Sequence, residues 1–125
     1  MGFELNGIIV SGLKEAAKFL AMPEYEKAIE KILGSRPYPG TLNIKTQDFK
    51  KEMISHPLRF EGFERQGKKF SGITLTRASI NNIQGLLVFP DINRQQKDVM
   101  EFIASINMRK EFDLKDNEKI TVHIE

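Results

Sequence analysis

The sequence predicts a mainly β (α+β) chain, a small closed barrel with one main helix near residues 23–33. Two observations point there: about six short segments with strand patterning, and one stretch with the apolar spacing of a helix. A third is the lack of any repeat, low-complexity tract or linker between them. Closure into a barrel removes the unpaired edges that so small an open sheet would expose. The 125 residues argue for one domain over 1–125, large enough to bury a core without staples.

Taken in order, Phe3 to Ser11 alternates loosely, carries the run Ile8-Ile9-Val10 and reads as a strand that Gly12 breaks. The helix begins at Pro23, whose missing N–H is harmless in the first turn. Tyr25, Ala28, Ile29, Ile32 and Leu33 then fall on one face. Glu24 and Glu26 suit the positive end of the helix dipole and Lys31 the negative end, and Gly34 supplies the stop. Gly40 to Lys45 is a short strand. Leu58 to Glu64 and Lys69 to Thr76 flank a hairpin turn at Arg65-Gln66-Gly67-Lys68. Ile83 to Phe89 is almost continuously apolar, as in a strand covered on both faces, and Pro90 ends it. Val99 to Ile106 reads as a strand with Met100, Phe102, Ala104 and Ile106 on one face and Glu101 on the other. After a turn at residues 115–118, Ile120, Val122 and Ile124 mark the last strand.

Hydrophobic residues make up 40% and charged residues 29%, so the composition is that of a globular protein. A net charge of +2 is too small to argue for nucleic acid. The absence of cysteine excludes disulfides, thiol nucleophiles and thiolate metal sites. No signal peptide and no membrane-length apolar run is visible, so the expectation is a soluble, cytoplasmic protein. His56 and His123 are far apart with no ligand spacing, which leaves a zinc or Ser-His-Asp site nothing to stand on. A Walker-type loop is absent as well.

Four constellations carry chemistry. In Pro37-Tyr38-Pro39-Gly40-Thr41-Leu42-Asn43, Thr41 and Asn43 share one strand face while Leu42 and Ile44 turn to the core. A hydroxyl and an amide oxygen side by side are hard ligands suited to Mg²⁺; on spacing alone the plain surface strand is the favoured reading, since Thr-x-Asn is common by chance. Ser11 to Phe19 offers a glycine and lysines near a strand end, either a phosphate loop or an ordinary turn. Glu101 is either a carboxylate beside a pocket or a solvent-facing residue. Ile106 to Leu114 supplies Arg109 for a phosphate and backbone groups for a base edge, with Met108, Phe112 and Leu114 filling the barrel end.

Together these segments resemble the archaeal CTP-dependent riboflavin kinases. The likeness runs through Ile9-Val10-Ser11-Gly12-Leu13, Pro23-Glu24-Tyr25, Ile32-Leu33-Gly34 and Pro37 to Asn43. It continues in Gly67 to Gly72, Glu101-Phe102-Ile103-Ala104, Met108-Arg109 and Phe112 to Asp116. The Gly40-Thr41-Leu42-Asn43 element is its most specific piece.

The resemblance implies a six-stranded cradle-loop barrel that passes the terminal phosphate of CTP to the 5′-hydroxyl of riboflavin, giving FMN and CDP. By motif it implies Thr41 and Asn43 as Mg²⁺ ligands. It implies Gly12, Leu13, Lys14, Glu15, Ala16 and Ala17 as the nucleotide-phosphate loop, and Ile106, Asn107, Met108 and Arg109 as the cytidine contact. Glu101 and Asn93 fall at flavin-binding positions, and Glu101 is also the candidate catalytic base. The family loop usually reads Gly-Leu-Gly-Glu-Gly; here Lys14 and Ala16 replace two glycines, adding a Cβ where backbone approaches phosphate. That departure keeps a non-catalytic flavin- or nucleotide-binding module in view. A nucleic-acid-binding barrel is the third reading, because Phe112 to Ile120 also looks like the end of swapped-hairpin transcription regulators.

Overall fold

The computed structural model describes residues 2–12, 18, 20–47, 49, 51–92 and 98–125. Nine strands are found among them: β1 (Phe3–Val10), β2 (Leu42–Lys45), β3 (Leu58–Phe60), β4 (Phe63–Arg65), β5 (Lys68–Phe70), β6 (Ile73–Ile80), β7 (Ile83–Pro90), β8 (Val99–Ile103) and β9 (Lys119–Ile124). The helices with described bounds are α1 (Pro23–Leu33) and the short α2 (Met108–Glu111), with a 3₁₀ turn at Lys51–Met53. The main sheet runs β3-β6-β7-β8-β2-β1-β9, and β9 pairs back onto β6 through Ala78↔Ile124 and Ser79↔His123. Every pairing is antiparallel, so β6, β7, β8, β2, β1 and β9 form a closed six-stranded barrel with β3 added outside β6.

Strand alternation sorts the side chains into two cores. Ile9, Leu42, Ile44, Ala78, Ile80, Leu87, Met100, Phe102, Ile120, Val122 and Ile124 fill the barrel. Leu75, Leu86, Val88 and Ile103 point outward and pack with Tyr25 and Ile29 of α1. The continuous apolar run of β7 is explained by this: Leu87 enters the barrel while Leu86 and Val88 lie under the helix. Burying Tyr25 and Ile29, each 1% exposed, contributes about 1.5–3 kcal/mol apiece. Gly34 ends α1 in the left-handed conformation (φ 86°), its N–H donating to the Glu30 carbonyl at 2.8 Å. Arg77 Nη1 donates to the Ile32 carbonyl at 3.0 Å, satisfying another free helix-end acceptor.

Several sequence expectations are refined. Leu58 to Glu64 is two strands, β3 and β4, parted at Gly62, whose φ of 92° breaks the extended chain. Lys69 to Thr76 divides likewise into β5 and β6, and β6 runs on to Ile80. The turn between β4 and β5 centres on Gln66 and Gly67, both at positive φ. β8 stops at Ile103 rather than Ile106, and α2 forms where a loop was expected because Asn107 caps it, its side chain accepting from the Lys110 N–H. Among the described residues no helix is long and apolar enough to cross a membrane.

Candidate active site

Strand register builds the site. On β2, Leu42 and Ile44 enter the barrel, so Thr41 and Asn43 must face outward. On β8, Met100 and Phe102 enter, so Glu101 faces outward too. The β2–β8 register sets Asn43 directly opposite Glu101. Thr41 Oγ1 donates to Glu101 Oε1 at 3.0 Å. Three oxygen-bearing side chains separated by up to sixty positions thus meet on one outer face.

This face is not a solvated one. Asn43 is 6% and Glu101 2% exposed, although both point away from the barrel interior. A plain surface strand would leave them wet, and holding a carboxylate out of water is costly without a compensating role. The Thr41 hydroxyl gives its proton to Glu101, so its lone pairs remain to be offered elsewhere.

Beside this cluster lies a cavity of about 360 Å³ whose walls include Gly12, Thr41, Asn43, Asn107 and Arg109. Ile106 and Met108 line it as well. The metal, cytidine and Gly12 positions implied by the family resemblance therefore share one cavity, with Glu101 bonded behind Thr41. Leu13, Lys14, Glu15, Ala16, Ala17 and Asn93 lie outside the described residues. A larger cleft of about 960 Å³ crosses β1, β2 and β9 near Asn6, Lys45 and Thr121. Among the described residues neither lining holds an acidic side chain, but a wall residue of the smaller cavity, Thr41, is hydrogen-bonded to the Glu101 carboxylate, which gives that cavity the better chemistry.

Arg109 has a different setting from that of a free phosphate ligand. Its Nη2 donates to Asp116 Oδ1 at 2.6 Å and to the Val10 carbonyl at 3.1 Å, while Ser11 Oγ donates to Asp116 Oδ2 at 2.8 Å. The guanidinium, then the Ser11 hydroxyl, hold the Asp116 carboxyl below its ordinary value. This network pins the end of β1, and with it Gly12, against α2. Sequence reading missed Asp116 because Ser11 lies 105 residues away and no helical or strand period links Asp116 to Arg109, seven residues before it. It also took Tyr38 only as part of a stiff approach to β2, whereas Asn107 Nδ2 donates to the Tyr38 hydroxyl at 2.9 Å.

The donor set fits a hard divalent cation. Thr41 and Asn43 supply neutral oxygens and Glu101 a carboxylate within reach. The described residues hold no cluster of three or more His, Cys, Asp or Glu. A cation here would depend on substrate phosphates for its remaining ligands, as Mg²⁺ sites commonly do.

A family model named CTP-dep_RFKase, described as "Domain of unknown function DUF120", matches residues 9–124. Among curated proteins, a riboflavin kinase of Pyrobaculum islandicum is 33% identical over 129 residues, covering 99% of this chain and 61% of that protein. One from Pyrobaculum aerophilum is 34% identical over 125 residues (96% of this chain, 60% of that one). One from Pyrococcus furiosus is 34% identical over 121 residues (93% and 56%). The chain spans about three fifths of the length of the curated relatives it matches.

Proposed function

The chain belongs to the CTP-dependent riboflavin kinase family, and from that premise we propose that it is itself a riboflavin kinase. It moves the terminal phosphate of a nucleoside triphosphate, CTP by the family's name, onto the riboflavin 5′-hydroxyl to give FMN. The observation that carries this reading is the Thr41–Glu101 hydrogen bond, with Asn43 opposite Glu101, at the edge of the cavity lined by Gly12 and residues 106–109. A kinase needs such a juxtaposition, because phosphoryl transfer is mostly positioning and charge neutralisation.

In the reaction, the riboflavin oxygen forms a bond to the γ-phosphorus as the bond from that phosphorus to the β–γ bridging oxygen breaks. The hydroxyl proton passes to the Glu101 carboxylate, and the nucleoside diphosphate leaves. Thr41 and Asn43 are the residues that would hold Mg²⁺, which when bound neutralises phosphate charge. Glu101 orients the flavin hydroxyl and, through its bond to Thr41, fixes that side chain's rotamer. Residues 106–109 border the nucleotide, and the Arg109–Asp116–Ser11 network sets the distance between that border and Gly12. Gly12 to Ala17 is the phosphate loop and Asn93 a flavin contact in this assignment. Riboflavin, FMN, CTP and CDP are accordingly the small-molecule partners.

The test is FMN formation from riboflavin and Mg²⁺ with CTP, ATP, GTP and UTP in turn. FMN is expected with at least one, and with CTP most readily. Riboflavin binding without FMN from any of the four would refute the kinase and leave the non-catalytic binding module.

A further inference from the structure

Tyr38 is one of three large apolar side chains found exposed among the described residues, at 37%. Unlike the other two, Met53 and Ile92, it lines the cavity with Thr41 and Asn43. It is also unusually well held for an exposed ring. Its backbone N–H donates to the Ala104 carbonyl at 2.8 Å, and its own carbonyl accepts from the Gly40 N–H at 2.8 Å. Its hydroxyl accepts from Asn107 Nδ2 at 2.9 Å, and Asn107 is itself fixed by accepting from the Lys110 N–H at 3.2 Å.

Gly40 completes the arrangement. Its φ is not in the left-handed region, so no backbone strain calls for glycine there. A Cβ at that position would lie 2.8 Å from Tyr38 Cε2. The glycine of the Gly40-Thr41-Leu42-Asn43 element is needed for the space it leaves, and the ring occupies that space. Fixing this aromatic side chain from both ends sacrifices rotamer freedom while more than a third of the residue stays exposed. A ligand with a flat apolar face that covers it accounts for the cost.

We propose that Tyr38 is the stacking wall for the nucleotide base, locked by Asn107 and given room by Gly40; this rests on the kinase reading above. Every base offers a π-face, so stacking on Tyr38 raises affinity for all nucleotides and leaves the choice of base to hydrogen-bonding groups in residues 106–109. Being remote from the reacting phosphorus, the ring contributes equally to ground state and transition state. Tyr38→Ala is therefore expected to raise the nucleotide KM by about 10–100-fold, similarly for CTP and the other triphosphates, with kcat and the riboflavin KM little changed. Tyr38→Phe keeps the ring but loses the Asn107 bond, so its nucleotide KM is expected to rise far less than that of Tyr38→Ala.

The chain has two tyrosines, which allows a direct readout on the wild-type protein. In protein with ¹³C-labelled tyrosine and a ¹⁵N-labelled backbone, CDP and Mg²⁺ are titrated while the tyrosine ring resonances and the amides of residues 106–109 are followed. Tyr25, 1% exposed with its hydroxyl bonded to the Ser71 carbonyl at 2.6 Å, is the internal control. The expected result is an upfield ring-current shift of the Tyr38 signals with Tyr25 unmoved. Saturation of the residue 106–109 amides by CDP with Tyr38 unshifted, or an unchanged nucleotide KM in Tyr38→Ala, would overturn the inference and leave the kinase standing. CDP–Mg²⁺ that perturbs no resonance at all would remove the nucleotide site itself, and the inference with it.

Discussion

Replacing Glu101 by Gln separates the carboxylate's chemistry from its packing. Gln has nearly the same shape, and its Oε1 can still accept the Thr41 hydroxyl that now bonds Glu101 at 3.0 Å. The position is 2% exposed, so the swap also removes the desolvation cost of a buried carboxylate. With the acceptor kept, stability should change by no more than about 1 kcal/mol, a melting shift within about 4 °C. Activity should behave otherwise. Loss of a positioned base lowers kcat by about 10²–10⁴-fold, equivalent to about 2.7–5.4 kcal/mol of transition-state stabilisation at about 1.36 kcal/mol per decade. The assay is FMN formation at saturating riboflavin and nucleotide, alongside thermal unfolding of the same preparation. A Glu101→Gln variant with near wild-type kcat would refute the base role. One that unfolds well below the wild type would show the carboxylate to be structural.

Other perturbations test neighbouring parts of the account. Asn43→Ala should raise the Mg²⁺ concentration for half-maximal activity by at least the roughly 10–100-fold seen when a metal ligand merely loses its supporting partner; an unchanged metal requirement would contradict the ligand assignment. Leu87→Ala empties a fully buried position in the barrel and should cost about 2–5 kcal/mol in urea unfolding. A loss far below that range would mean the barrel interior is not packed as described. Asp116 has its carboxyl held below the ordinary 3.8 by Arg109. A depressed folded-state value contributes stability above the unfolded value, and that contribution is lost as pH falls through the folded one. The urea-midpoint advantage of wild type over Asp116→Asn should hold constant near neutrality and close as pH drops below 3.8; an advantage that grows on acidification would contradict the pairing.

The barrel was legible because its signals are local. The 3.6-residue spacing of Tyr25, Ala28, Ile29, Ile32 and Leu33 and the alternation of Ile120, Val122 and Ile124 need no distant partner to be read. What escaped was backbone at positive φ in residues other than glycine. Asn81 and Asn82, at φ 50° and 66°, make the tight turn that lets β6 continue to Ile80 and pair with β7. Asn107 hides similarly, since its capping role shows only in its bond to Lys110. For the site, the face shared by Thr41 and Asn43 follows from a two-residue period. Their meeting with Glu101 does not, because sixty residues separate Thr41 from Glu101 and only the β2–β8 register unites them. The low exposure of Asn43 and Glu101 was equally invisible, since alternation says which way a side chain points but not what covers it.

The central claim is that this chain itself carries phosphate from a nucleotide to a flavin. The most direct measurement incubates the purified chain with riboflavin, Mg²⁺ and CTP labelled in its γ-phosphate, then separates the flavins and nucleotides. The account predicts label on FMN, with CDP formed in equal amount. Riboflavin and CTP that both bind while the label stays on the nucleotide, or departs as inorganic phosphate with no FMN, would contradict it.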